Sequence, residues 1–249
     1  MPYFSYTQIQ LGPITLYTWG LFLGLAFLVG SWLVLKEVAK KGIDQRKVFW
    51  LIIFIFFGGL VGSRLAYVLQ FPRYYLSHFQ EVFQVWDGGL VFYGGLLGGL
   101  IIGWIYVKKS KLNFWQIADL VAPALALGIF IGRLGCSLIN DHQGAITNLP
   151  WAILWPDALL RHPVAEYLAL NALIMFLVLW FWRTRLKKPG QLFIIFLFWY
   201  SISRFFLDFT RATDTALADP HYLGLFISQW ISLFILGGLV IFLLKRFRT

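Results

Sequence analysis

Val48-Phe-Trp-Leu-Ile-Ile-Phe-Ile-Phe-Phe-Gly58-Gly59-Leu-Val-Gly62-Ser-Arg64-Leu-Ala-Tyr67-Val-Leu69 carries a single charge, on Arg64. A helix needs about 20 mostly apolar residues to cross the hydrocarbon core of a bilayer, and this run meets that length. Comparable runs lie at about 14–35, 88–107, 114–131, 164–182, 191–209 and 223–244. They predict an all-α integral membrane protein of about seven transmembrane helices, organised as a single domain over residues 1–249. The composition agrees. Hydrophobic residues make up 59% of the 249 positions and charged residues only 13%, against roughly a quarter charged in a soluble domain. The 25 Phe, 12 Trp and 11 Tyr suit rings placed at lipid–water boundaries.

The net charge of +10 does not point to nucleic acid, because most of the basic residues flank apolar runs. That placement sets orientation instead. Lys36, Lys40, Lys41, Arg46 and Lys47 follow the first run, and Lys108, Lys109 and Lys111 follow the third. Arg183, Arg185, Lys187 and Lys188 follow the fifth, and Lys245, Arg246 and Arg248 follow the last. These loops face the cytoplasm, which places the N-terminus outside and the C-terminus inside. All ten lysines then lie on the cytoplasmic side, and the outer side carries Arg64, Arg73, Arg133, Arg161, Arg204 and Arg211. Arginine presents a planar fork that grips phosphate or carboxylate bidentately and cannot be deprotonated. Two outer-face segments, at about 70–87 and 132–163, link the spans; the first holds Pro72, Tyr74, Tyr75, His78 and Trp86 and reads as interfacial. The single cysteine, Cys136, rules out a disulfide within the chain and a zinc cluster.

Three stretches carry candidate chemistry. The first is Trp86-Asp87-Gly88-Gly89-Leu-Val-Phe-Tyr93-Gly94-Gly95-Leu-Leu-Gly98-Gly99, with Gly103 beyond. Its glycines recur one helical turn apart and let another backbone approach closely, while Asp87 and Tyr93 bracket the outer end of the helix. The second is Gly132-Arg133-Leu-Gly135-Cys136-Ser-Leu-Ile-Asn140-Asp141-His142-Gln143-Gly144. Here Arg133 between glycines can reach a phosphate unobstructed, Asn140 and Asp141 add donors and an acceptor, and His142 is suited to carry a proton. Cys136, beside an apolar helix, reads as a buried and inert thiol. The third is Tyr200-Ser-Ile-Ser-Arg204-Phe-Phe-Leu-Asp208-Phe-Thr-Arg211. Spacings of four and three put Arg204, Asp208 and Arg211 on one helical face, with Tyr200 a turn further in.

Together these stretches resemble the prolipoprotein diacylglyceryl transferase family over nearly the whole chain. Leu11-Gly12-Pro13 through Tyr17-Thr-Trp19-Gly20 looks like that family's approach to its first helix. Arg64-Leu-Ala-Tyr67 and Val85-Trp86-Asp87-Gly88-Gly89 match the end of its second helix and the start of its third. Gly132 through Gly144 is similar to its signature loop, and Asn148-Leu-Pro150-Trp151-Ala152 and Arg161-His162-Pro163 through Tyr167 match its outer arm. Ser228-Gln229 with Ser232 looks like the start of its last helix.

The resemblance implies a reaction. The sn-1,2-diacylglyceryl group of phosphatidylglycerol moves to the thiol of a lipobox cysteine in a prolipoprotein, a thioether forms and glycerol phosphate leaves. The nucleophile belongs to the substrate, and no cofactor or metal is implied. The implied setting is the bacterial cell (inner) membrane, with the active site toward the outer leaflet and phosphatidylglycerol, the lipobox segment and the bilayer as partners. Arg133 and Arg204 match the family's key arginines and are assigned to the headgroup phosphate, where fixed cations stabilise a leaving anion. Tyr93 stands where well-studied members have histidine, and is read as a phosphate or thiol contact, since an unperturbed phenol titrates at about 10. Substrate-binding roles are assigned to Arg64, Tyr67, Asp87, Asn140, Asp141, Gly144, Tyr200, Asp208 and Arg211. The chain departs from the family pattern at Trp19, Cys136, Asp141, Ala165, Leu168 and Asp208. The phosphate-binding arginines are intact, and the group that takes the thiol proton stays open. Two readings from other classes compete: a transporter of an anionic solute or lipid, and an inactive lipid-binding relative. No inverted repeat or matching pair of broken helices supports the first.

Overall fold

In lipid every spanning segment has to satisfy its own backbone hydrogen bonds, so a long apolar run becomes a helix. The computed structural model describes residues 1–12, 14–215 and 218–247, with backbone only at Leu11, Ile14, Asp87, Arg246 and Phe247. A β-hairpin (β1, Gln8–Leu11; β2, Ile14–Tyr17) leads into α1 (Thr18–Lys40). Next come α2 (Gln45–Val68), the short α3 (Pro72–Ser77), α4 (Phe92–Lys109) and α5 (Phe114–Ile139). A second hairpin (β3, Ile153–Leu154; β4, Leu160–Arg161) precedes α6 (Val164–Trp182) and α7 (Gln191–Leu207). A third (β5, His221–Tyr222; β6, Leu225–Phe226) opens α8 (Ile227–Phe247), and Leu223 and Gly224, both at positive φ, make its two-residue turn.

The protein is an all-α integral membrane protein. Among the described residues six helices are long and apolar enough to cross a membrane: α1, α2, α5, α6, α7 with its extension to Thr210, and α8. The remaining expected span is α4, whose 18 residues end in Lys108 and Lys109 and so leave a shorter apolar stretch. Two boundaries differ from the sequence reading. The first helix starts at Thr18, because residues 14–17 pair with 8–11 as a strand. The fourth apolar run does not stop at 131, and α5 continues to Ile139. Arg133 and Cys136 are therefore helical residues, not loop residues. The helix ends where Asn140 turns left-handed (φ 49°). Asn140 N–H then donates to Ser137 O and Asp141 N–H to Cys136 O, at 3.2 Å each. That is the paired closure of a Schellman motif, with asparagine in the position glycine usually takes.

The described chain forms two compact units, Met1–Leu33 with Ala118–Thr249, and Val34–Ile117. In the second, α2 and α4 meet along glycine on both sides. A Cβ at Gly62 would lie within 3 Å of Gly98 Cα and Gly94 O, and one at Gly98 within 3 Å of Gly58 O. The ladder expected on α4 thus has its counterpart in Gly58, Gly59 and Gly62 of α2. Only hydrogen side chains permit this approach. The segment 72–87 folds as α3 and two 3-10 turns, and leaves Leu76, Phe79, Phe83 and Trp86 exposed.

In the first unit, Ala122 and Ala126 of α5, Met175 and Leu179 of α6, and Leu192 and Phe196 of α7 form a buried core. Polar groups lock the same helices in register. The Asp119 carboxylate accepts from the backbone N–H of Gly190 (2.6 Å) and Phe193 (2.9 Å), capping α7 from a neighbouring helix. Asn171 of α6 donates to Ser203 Oγ and accepts from Trp199 Nε1, each at 3.0 Å. These contacts fix how far α7 advances, and so where Arg204 comes to rest.

Candidate active site

The site elements of the first unit gather around the last turns of α5 and α7. α7 delivers Arg204 to a buried carboxylate, Asp208, which is 0% exposed. Asp208 begins a 3-10 turn, and Arg211 beyond it is extended. The chain leaves the helix here, yet the three side chains still converge. Arg204 Nε lies 3.2 Å from Asp208 Oδ2, and Arg211 Nη1 lies 3.8 Å from Oδ1. Ser228, at the start of α8, donates its hydroxyl to Asp208 Oδ2. Arg211 also pairs with Asp219 and lies 4.9 Å from the centre of the Phe226 ring.

This cluster is incomplete as a self-contained ion pair. Arg204 Nη1, Asp208 Oδ1 and Ser201 Oγ are buried and have no hydrogen-bond partner. Ser201 and Arg204 lie about one turn apart on α7, and Asp208 follows four residues on, just past the end of the helix. Buried polar atoms are nearly always satisfied in native proteins, by protein groups, water or a ligand, which sets these three atoms apart. Arg133, from α5, is half-buried, and its electrostatic neighbours are Arg204, Cys136, Tyr200 and Asp208. Among the described residues it makes no ion pair. Arg133 thus shares the electrostatic environment of Arg204 and Asp208. Tyr200 stacks on Phe196 with ring centres 6.0 Å apart, packing the inner wall.

The loop after α5 lies between two other strands of chain. Ala145 N–H donates to Thr210 O and Ala212 N–H to Gln143 O, and on the other side His162 N–H donates to Ala145 O. Gly144 sits at the crossing, where a Cβ would fall within 3 Å of His162 backbone atoms. Its carbonyl accepts from Arg161 Nη1 at 3.0 Å. Gly144, assigned to substrate from the sequence, is thus required by backbone proximity. Asn140 closes α5, and its side-chain amide donates to Phe4 O. Ser5 Oγ donates to Ile139 O and Tyr6 N–H to Leu138 O, so residues 4–6 are fastened across the end of α5. Asp141 is exposed, with Oδ2 3.2 Å from His142 Nδ1.

Two other arginines prove saturated. Arg161, 2% exposed, makes a bidentate pair with Asp214 (3.0 and 2.9 Å) and also reaches Asp157. Arg64, in the other unit, donates Nε to Val82 O, Nη1 to Gly88 O and Gly89 O, and Nη2 to Glu81 O. The Tyr67 and Tyr75 rings flank it at 5.6 and 5.4 Å. Its guanidinium holds the 81–89 turn. Tyr93 lies in the first turn of α4, 42% exposed, with Phe92 as ring neighbour. The Asp87 side chain lies outside the described residues.

Sequence reading missed Ser228 as a partner of Asp208, because it reads only as the start of the last helix until α8 is seen beside that carboxylate. It also missed Glu166, which accepts from Ser137 Oγ at 2.6 Å and ties the start of α6 to the end of α5.

Long apolar helices around a buried arginine–carboxylate cluster define a polytopic membrane protein. The sequence pattern of the family described as prolipoprotein diacylglyceryl transferase matches residues 7–244, and the chain belongs to that family. It is 35% identical to the phosphatidylglycerol–prolipoprotein diacylglyceryl transferase of Bordetella avium, over 100% of this chain and 97% of that protein. It is 35% identical to the protein of the same name from Geobacillus kaustophilus, over 84% and 82%. The one from Aromatoleum aromaticum is 34% identical, over 92% and 90%.

Proposed function

We propose that this chain transfers the diacylglyceryl group of phosphatidylglycerol to the lipobox cysteine of a prolipoprotein. It is a phosphatidylglycerol–prolipoprotein diacylglyceryl transferase, a multi-pass membrane enzyme of lipoprotein biosynthesis. The observation that carries the assignment to this site is the buried, unpartnered Arg204 Nη1 beside Arg133.

The chemistry follows from that pair. The substrate sulfur attacks the glyceryl carbon that bears the phosphate oxygen. A C–S bond forms, the C–O bond breaks, and its electron pair leaves with glycerol phosphate. The phosphate starts with one negative charge and gains another. Arg133 and Arg204 are fixed cations in a water-poor setting, so they stabilise the leaving anion more than the bound ester. Asp208, with its Ser228 hydrogen bond, orients the Arg204 fork. Arg211 supports the carboxylate from the far side, and Tyr200 shapes the wall. Tyr93, Tyr67 and Asp87 are assigned to contacts with the lipid or the thiol, and Asp141 and Asn140 to the signature loop. Arg64 acts by holding the 81–89 turn.

The topology completes the proposal. The clustering of all ten lysines in loops on one side supports an orientation with those loops in the cytoplasm and the arginine site toward the outer leaflet of the inner membrane. The test is direct. The purified protein in phosphatidylglycerol vesicles is given a lipobox peptide, and the peptide is weighed by mass spectrometry. A gain equal to one diacylglyceryl group is expected, with none from phosphatidylethanolamine vesicles or from a peptide with serine in place of cysteine. Lipid binding without any gain would instead favour an inactive relative.

A further inference from the structure

Residues 1–6 precede β1, and every one of them is exposed. They are held by hydrogen bonds, mostly to their backbone. Leu154 N–H, on β3, donates to Met1 O at 2.9 Å, and Pro2 pairs in parallel with Leu154. The Asn140 amide donates to Phe4 O, and Tyr6 N–H donates to Leu138 O at 2.8 Å. Ser5 Oγ donates to Ile139 O at 2.9 Å. Tyr3 rests on Trp155, with ring centres 5.0 Å apart. The surface beneath these residues is a track of peptide and amide groups: Leu154 N–H, the Asn140 carboxamide, and the carbonyls of Ile139 and Leu138. It begins on β3 and ends on the last turn of α5.

Resting on the transferase reading, we propose that this track is the docking site for an extended prolipoprotein segment beside the reacting cysteine, and that residues 1–6 cover it until the substrate takes their place. The track lies next to the arginines. Leu138 follows Arg133 by five positions on the same helix, about 8 Å further along its axis. Two or three extended residues, at roughly 3.3 Å each, span that length. Main-chain pairing also joins the track to the cluster. Beyond Leu154, β3 pairs with β4, Arg161 of β4 pairs with Ile146, and Gly144 pairs with Arg211.

The chemistry of the track selects a peptide. It offers an N–H and a carboxamide to carbonyl groups, and carbonyls to N–H groups, and a phosphatidylglycerol headgroup has no N–H to give. Because it grips backbone and not side chains, a second extended chain can make the same bonds by strand addition. Residues 1–6 are suited to give way. With all six side chains exposed, a few surface hydrogen bonds have to outweigh the entropy of ordering the segment, and such a segment opens at little cost. The end of α5 stays capped through the exchange, because an incoming N–H replaces the one lost from Leu138 O. Asn140, assigned to substrate from the sequence, has its amide on Phe4 O here, and the same amide meets a peptide carbonyl after the exchange.

The experiment compares wild type, a variant lacking residues 2–6, and Tyr6→Pro, which removes the N–H on Leu138 O. Each is assayed in phosphatidylglycerol vesicles over a range of lipobox peptide concentrations. A segment that competes with substrate raises the apparent KM, so the deletion should lower the peptide KM by about fivefold or more. Tyr6→Pro, which loses one hydrogen bond, should lower it about threefold. The kcat and the KM for phosphatidylglycerol should stay at wild-type values in both. A synthetic peptide of residues 1–7, added to wild type or to the deletion variant, should compete with the lipobox peptide and not with the lipid. A peptide KM unchanged or raised in Tyr6→Pro, or a 1–7 peptide that does not compete, overturns the proposal and leaves residues 1–6 as a cap on α5. Those two results decide the matter even where the deletion variant does not fold. Absence of product from wild type instead brings down the transferase reading, and this proposal with it.

Discussion

Arg161 and Arg204 are both buried arginines of one unit, and both face carboxylates, but they differ in what is left over. Arg161 has two carboxylates and a carbonyl on its guanidinium. Arg204 shares one carboxylate, and its Nη1 has no partner. Arg64 resembles Arg161, with four backbone carbonyls around it. Burial and charge are therefore common to structural and functional arginines, and the unpaired donor separates them. A saturated guanidinium holds chain segments together, whereas the unsaturated Arg204 keeps a donor for the phosphate in the proposed reaction.

The contrast can be broken at several points. The largest effect belongs to Arg204→Ala. Loss of a preorganised donor to a developing anion lowers turnover about 10²–10³-fold, read as thioether formed per minute well below the variant's own Tm, which also falls because buried Asp208 loses a partner. Arg161→Ala should do the reverse. It leaves Asp157, Asp214 and the Gly144 carbonyl without their shared partner, which costs about 1–3 kcal/mol. The expected readout is a lower Tm and faster proteolysis within residues 144–161, with near-normal turnover at low temperature. Arg64→Ala belongs to the same class, with cleavage confined to residues 78–91.

A smaller effect is expected for Ser228→Ala. Removing one hydrogen bond to Asp208 loosens the carboxylate that orients Arg204 and should reduce turnover by about tenfold, in line with about 1.5 kcal/mol for a hydrogen bond to a charged group. The smallest effect is a pH dependence confined to the saturated pair. The hydrogen bond from Arg161 holds the Asp214 carboxyl below the usual value of 3.8. A depressed carboxylate contributes stability above its unfolded pKa, and that stability is lost as pH falls through the folded one. Protease resistance of the outer arm should therefore be flat from pH 7 to 5 and fall only below about 4.

The apolar runs made the membrane class and most helix positions legible, because lipid leaves an unbroken run few alternatives. The extent of α5 was not legible. Gly132-Arg133-Leu-Gly135 reads as a break, yet the helix goes on to the Schellman closure at Asn140. Motif order made Arg133 and Arg204 legible as candidates. It could not separate Arg64 from them, because the Arg64 partners are carbonyls 17 to 25 residues away, set by the 81–89 turn and not by any residue type. The Ser228 contact was hidden for a similar reason, since it exists only once α8 starts beside Asp208.

One comparison tests the account most directly: thioether yield from phosphatidylglycerol and a lipobox peptide, for wild type, Arg204→Ala and Arg161→Ala, each assayed well below its own melting temperature. The account predicts product from wild type and Arg161→Ala, and at least a hundredfold less from Arg204→Ala. Equal turnover from Arg204→Ala and wild type would contradict it, because the unpaired donor would then have no part in holding the phosphate.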